Sequence, residues 1–266
     1  MTTSHGDIDY LKLYFCEPFS VKCGEKYLEI YQPTIGDIMR IGESEVYSTA
    51  YIFIGNTTTY RVQLWDLGID WNKITDFDLF YLLIKGIKTE YDEEGNLIWN
   101  SAGFLFGNQC DFSKFERYEM NKDGETSLVL YDEHSGLLID EDAYKKIVNY
   151  IRAMFGINPK VEKAKGKITK ETIITQEKSY MNLDKNKTGS MLLNLISFCV
   201  NHPGFKYKKT ELKDVGIFEF MDSVRRLQVY ESTGALLKGA YSGFCDTSKI
   251  DKINFDFMRD VYNETS

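Results

Sequence analysis

Residues 189–243 constrain this chain more than any other stretch. Two strongly apolar helical runs sit there on either side of a short kinked connection. In 191–200, Met191, Leu192, Leu193, Leu195, Ile196, Phe198, Cys199 and Val200 cover nearly the whole circumference of a helix. A helix that is apolar all round belongs in a core or in a bilayer. A bilayer needs roughly 20 such residues, so the run points to a core. Ser190 can cap it by accepting a free amide of the first turn. His202-Pro203-Gly204 ends it, because proline disfavours helical geometry in His202 and Gly204 permits positive φ. A second helix begins near 214–217. Ile217, Met221, Val224 and Leu227 recur every three or four residues, with Phe218, Phe220 and Val229 beside them, which is an amphipathic helix with a wide apolar face. Arg225 and Arg226 fall at its edge, solvated or paired with Asp222 or Glu219. Gly234, Gly239 and Gly243 break up the next segment, permitting close helix packing or ending the helix.

Size and charge narrow the class. With 266 residues the chain suffices for one large domain or two modest ones. Its 18 tyrosines and 17 phenylalanines can supply a substantial core, since each large aromatic buries about 150–250 Å². A net charge of −8 disfavours a general nucleic-acid binder, which is normally basic. Cys16, Cys23, Cys110, Cys199 and Cys245 show no C-x-x-C spacing, and reduced thiols in a cytoplasmic protein fit them best. The N-terminal residues lack a basic region followed by an apolar one, so no signal peptide is expected. No run reaches membrane-spanning length.

Along the chain, residues 10–15, 19–21 and 27–31 read as short strands, the last two flanking a Cys23-Gly24 turn. After Pro33, which suits a turn or a first helical position, Ile35, Ile38, Met39 and Ile41 mark one helix face that ends at Gly42. Further helices follow over 43–54, 59–67 and 75–84. Thr75 caps the last of these, with Asp76 and Asp78 in its first turn, where the helix dipole favours negative charge. Residues 88–100 read as a polar break. Candidate strands lie at 104–106, 118–120, 128–131 and 137–139, with turn signals at Asp123-Gly124 and Ser135-Gly136. Asp140 opens a helix whose buried stripe is Tyr144, Ile147, Val148, Ile151, Met154 and Phe155, closed by Gly156. A lysine-rich connector at 158–170, a helix at 169–180 and a polar loop at 182–188 lead to the apolar stretch. A final helix starts at Asp246, with Ile253, Phe257 and Met258 on its apolar side. The expected fold class is α+β, mainly helical, with short N-terminal strands and a small antiparallel β-rich insert. Its parts are a β-hairpin in 1–32, a helical segment in 33–100, the insert in 101–140, and a helical part in 141–260 packed with 33–100 as one core.

Signatures of chemistry are missing from the sequence. There is no G-x-x-x-x-G-K-[ST] loop and no G-x-G-x-x-G. Ser242 stands one place away from where a G-x-S-x-G elbow would need it. His5, His134 and His202 have no second histidine or cysteine at zinc-ligand spacing. Asp92, Glu94 and Asn96 alternate like calcium ligands, but Gly95 is not at the sixth position an EF-hand requires. No catalytic, cofactor or metal residue is assigned, although a site dispersed in sequence stays open.

Several segments together resemble a known group of proteins. These are residues 30–38 (IYQPTIGDI) followed by Gly42-Glu43, residues 64–70 (LWDLGID), residues 218–243 with their MDSV, ALL and YSG words, and residues 254–260. The chain resembles tail assembly chaperones or tail-associated proteins encoded in the tail-morphogenesis regions of phages and prophages of Gram-positive bacteria. The shared words are packing and turn residues, so the resemblance implies no catalytic residue and no cofactor. It implies a non-enzymatic protein of the host cytoplasm that binds the tape measure protein, with the tail tube protein as a further candidate partner. A chaperone of an elongated, helix-rich partner needs exposed apolar helix faces. Trp65, Trp71, Phe218, Met221 and Leu227 are the candidate partner-binding residues; the competing reading is that they are intramolecular core. Two other classes stay open: a virion structural component (connector, baseplate or capsid-associated protein) and an enzyme.

Overall fold

The structure is a computed structural model that describes residues 8–122, 125–184, 189–243 and 246–262. The chain is α+β and mainly helical, with small antiparallel sheets. It opens with a short helix, α1 (Tyr10–Tyr14), where alternation predicts a strand. Asp9 accepts from the backbone N–H of Leu11 and Lys12. That cap outweighs the β-preference of Tyr and Phe and turns Leu13 fully inward. Strands β1 (Phe19–Cys23) and β2 (Lys26–Ile30) form the expected hairpin, turning through Gly24 at φ +69°. Their buried face is Val21, Cys23, Leu28 and Ile30.

Helix α2 (Ile35–Ile41) is capped by Thr34, one residue after Pro33, through a reciprocal capping box with Asp37. Met39, expected on its apolar face, points to solvent. α3 (Glu43–Ile54), α4 (Arg61–Asp66) and α5 (Asp76–Ile84) follow, with Thr75 capping α5 as expected. The polar break is a hairpin, β3 (Thr89–Tyr91) and β4 (Leu97–Asn100). Asp92 closes it by accepting from Glu94 N, Asn96 N and Asn96 Nδ2, so the calcium-like alternation is a turn. The strand expected at 104–106 is instead a helical turn, α6 (Gly103–Phe106), stopped by Gly107 at φ +58°. β5 (Glu116–Lys122), β6 (Glu125–Tyr131) and β7 (Leu138–Ile139) make an antiparallel sheet in that order. The Asp123-Gly124 turn lies outside the described residues; the Ser135-Gly136 turn is present, with Gly136 at φ +67°.

Helix α7 (Glu141–Phe155) matches expectation residue by residue. Asp140 accepts from Ala143 N, Gly156 ends the helix in left-handed geometry, and the whole stripe is buried. α8 (Lys167–Asp184), α9 (Met191–Asn201) and α10 (Ile217–Tyr241) complete the helices. α10 runs on through Gly234 and Gly239, so these glycines do not end it. The last segment folds back along α10. Thr233 Oγ1 donates to Asn254 O, Arg226 to Arg259 O, and Tyr262 to the Asp222 carboxylate. Arg226 also pairs with Asp222 at 3.5 Å. This segment contains short 3₁₀ turns at Thr247–Lys249 and Lys252–Phe255 and leaves Ile253, Phe257 and Met258 exposed, so the expected apolar helix side is not formed.

The buried residues of the main core run from Leu13 of α1 to Leu227 of α10, with Tyr262 packed against them partly buried. At its centre Phe53 of α3 meets Phe80, Phe106 and Phe112, with ring centroids 4.9–5.7 Å apart. A smaller apolar cluster joins Val62, Leu64, Trp71, Leu79, Ala164 and Ile174. Residues 32–35 meet residues 215–218 in space. Ile35 N donates to Val215 O, Ile217 N to Pro33 O, and Phe218 N to Gln32 Oε1. Gly216 makes this crossing possible, since a Cβ there would lie 2.4 Å from Cys16 Sγ and from Gln32 Oε1.

Candidate protein-binding surface

The residues singled out as partner-binding are largely interior. Phe218 is buried in a triad of rings with Tyr10 and Tyr262, at centroid distances of 6.1 and 5.2 Å. Leu227 is buried and Met221 partly buried in the main core. Trp71 is buried beneath α8 and meets the partly buried Trp65 edge-on at 6.0 Å. These positions form no open face. The wide stripe of α10 is consumed by α1, α7 and the returning C-terminal segment, and that long-range packing leaves no trace in local spacing.

Open apolar rows lie on the two flanks of α9, where the sequence points to a core. α9 has three apolar rows at i, i+7 spacing. Its middle row, Leu192 and Cys199, is buried. The flanking rows are not: Met191 is 56% exposed and Phe198 43% on one side, Leu193 63% and Val200 40% on the other. Leu195 and Ile196 are half-buried beside the middle row. The apolar arc of α9 is wider than its neighbours cover. The one signal in the sequence was the width of that arc, interrupted by Asn194, Ser197 and Asn201 alone.

Polar contacts hold α9 at both ends. Ser190 caps its first turn through Leu193 N and donates to Glu43 of α3, which also accepts from Leu192 N at 3.0 Å. At the other end His202 Nε2 lies 3.1 Å from Glu231 of α10, and its ring packs 5.6 Å from Phe198. The exposed rows are therefore presented on a fixed helix. Further exposed aromatics stand on α10 and the segment after it: Tyr230, packed 5.7 Å from Phe257, and Tyr241.

A polar cleft of about 900 Å³ opens between the β3–β4 and β5–β6 hairpins, lined among others by Tyr91, Lys114, Tyr131 and His134. Its buried acids are already committed. Asp111 accepts from Ser113 N and Oγ and from the Tyr91 hydroxyl. Asp132 accepts from His134 N and from Ser135 N and Oγ. Burial would raise the Asp111 pKa, but the bonds from Ser113 and Tyr91 outweigh it and hold the carboxyl below its ordinary range. Burial and that same bond push Tyr91 up to about 12. Burial also raises the thiols of Cys23, to about 12, Cys110, and Cys199, to about 11, which keeps them protonated and unreactive. Cys245 lies outside the described residues. Among the described residues no group of three His, Cys, Asp or Glu side chains could hold a metal ion, and no helix is long and apolar enough to cross a membrane. Family models, curated proteins and solved structures all fail to match the chain.

Proposed function

We propose that the chain is a non-enzymatic phage tail morphogenesis protein that acts in the host cytoplasm as a tail assembly chaperone, receiving an apolar helix of the tape measure protein on α9. The observation that carries this reading is the pair of exposed apolar rows, Met191/Phe198 and Leu193/Val200, on a helix pinned at both ends. The two rows stand roughly 200° apart round the helix, on either side of the buried one, so a partner helix packs along one of them, with its axis about 8–10 Å away. The family-like segments support the choice of partner, and the tail tube protein is a second candidate. Burying such rows contributes about 25 cal/mol for each Å² of apolar surface, and pre-anchoring limits the ordering cost on the chaperone side.

The test follows a tagged copy in phage-producing cells, comparing lysate complexes with purified particles by mass spectrometry. The expected result is a complex with the tape measure protein in lysate, absence from particles, and loss of the complex on Leu193→Asp with Phe198→Asp. A fixed copy number in particles would make the chain a connector, baseplate or capsid-associated component and refute the chaperone reading.

A further inference from the structure

The polar cleft between the β3–β4 and β5–β6 hairpins carries an inference that is independent of what α9 receives. Its wall has an excess of negative charge. Asp111, Glu116, Asp132 and Glu133 line it, and among the described residues Lys114 is the one lysine or arginine that does so. Glu116 is offset by Lys85 at 2.9 Å. Asp111 and Asp132 form no ion pair among the described residues, although they are only 5% and 4% exposed. Their hydrogen-bond partners are neutral: Ser113 and Tyr91 for Asp111, the His134 amide and Ser135 for Asp132. Those bonds keep Asp111 ionised but leave its charge uncancelled. A carboxylate this buried is ordinarily paired with a cation. Two unpaired ones beside a cleft focus a negative potential into it.

Aromatic faces line the same cleft. Tyr118 of β5 and Tyr131 of β6 stand diagonally across the strand pair, since Glu116 is opposite Tyr131 and Tyr118 opposite Val129. Their rings meet edge-on with centroids 6.2 Å apart. Lys114 Nζ lies 6.0 Å from the third ring, Tyr91, so the chain's own ammonium already sits at cation–π distance. Negative charge repels anions, and among the described residues no three-ligand set could hold a metal ion. An organic cation matches both facts. A guanidinium suits the wall best: it is planar, weakly hydrated, stacks on tyrosine and offers a fork of donors to a carboxylate. Glu133, exposed and without an ion pair among the described residues, is free to accept that fork. A volume of about 900 Å³ leaves room for the neighbouring peptide as well.

We infer that this cleft is a binding site for an arginine side chain of a partner protein. The guanidinium stacks in the corner made by Tyr118 and Tyr131 and pairs with Glu133, within the field of Asp111 and Asp132. Lys114 is the resident cation that it competes with.

N-acetyl-argininamide serves as the probe, with its uncharged isostere N-acetyl-citrullinamide as the control. Each is titrated into the full chain carrying isotope-labelled tyrosine, and the ring resonances are followed by NMR. The arginine compound should shift Tyr118 and Tyr131 saturably, and the citrulline compound should bind about tenfold more weakly or not at all. Added NaCl should weaken the arginine compound alone. Glu133→Gln and Tyr118→Ala, both at exposed positions, should each weaken it by about threefold to tenfold. Lys114→Ala should tighten it about threefold by removing the resident cation, a direction that general loss of structure would not produce. An absent or non-saturating shift, equal binding of the two compounds, or indifference to both Glu133→Gln and Tyr118→Ala would overturn the inference. If a variant does not fold, the comparison of the two compounds on the unmodified chain decides.

Discussion

Neighbouring leucines on α9 provide a sharp test of how that helix sits. Leu192 is 4% exposed and Leu193 is 63% exposed, although the two are chemically identical and adjacent. Leu192→Ala removes side-chain atoms from the packed row shared with Cys199. Truncating a buried leucine costs about 2–5 kcal/mol, the spread reflecting how far the cavity collapses. α9 lies at the periphery, where neighbours can relax, so about 2–3 kcal/mol is expected. Full burial of a leucine side chain contributes about 2 kcal/mol. Leu193 is buried over roughly a third of its surface, so Leu193→Ala should cost about 0.7 kcal/mol at most. Urea unfolding followed by tryptophan fluorescence measures both, with the slope checked for constancy. Under the proposed function the order reverses in a pull-down of the tape measure protein: Leu193→Ala should weaken capture while leaving the fold intact. Equal destabilisation by the two substitutions would mean that α9 packs on a different face, and the case for an open apolar surface would collapse.

Other perturbations test the remaining framework. Arg152 of α7 donates through Nε to Ile54 O at 2.8 Å and through Nη2 to Gly55 O, closing the carbonyl end of α3. Arg152→Met should therefore cost about 1–3 kcal/mol in urea unfolding, and an unchanged midpoint would show that water replaces the cap. Gly216→Ala should cost about 1–3 kcal/mol by overpacking, since its Cβ has no room beside Cys16 and Gln32; a neutral result would refute the tight crossing. The bond from Lys170, together with the Asn72 amide, holds the Asp70 carboxyl below its ordinary 3.8. A depressed carboxylate stabilises the fold above its unfolded-state pKa and loses that contribution as pH falls through its folded-state pKa. Protection of α8 amides should thus decline as pH falls below the ordinary carboxylate range, and Asp70→Asn should remove that part of the decline.

Local physics fixed much of this protein before any packing was known. Thr75, Asp140 and Ser190 cap helices because a side-chain oxygen can reach free amides of the first turn. Gly156 ends α7 because a left-handed residue is cheapest without a Cβ. The β1–β2 hairpin, the stripe of α7 and the mainly helical α+β class come from the same short-range rules. Where short-range signals compete, the sequence misleads. Residues 10–14 and 103–106 are rich in aromatic β-formers, yet Asp9 and the Ala102 carbonyl give their backbones helical partners. Gly234 and Gly239 look like breaks, but α10 absorbs them, because packing along its length outweighs about 1 kcal/mol for each glycine. Tertiary structure alone decided which apolar residues meet water. Trp71 and Phe218 were candidates for a surface and are covered by α8 and by the Tyr10 and Tyr262 rings. Leu193 and Phe198 read as core and are open, because burial depends on how much of a helix its neighbours can reach. Periodicity records which residues could be buried together; only the arrangement of distant segments sets where that burial stops.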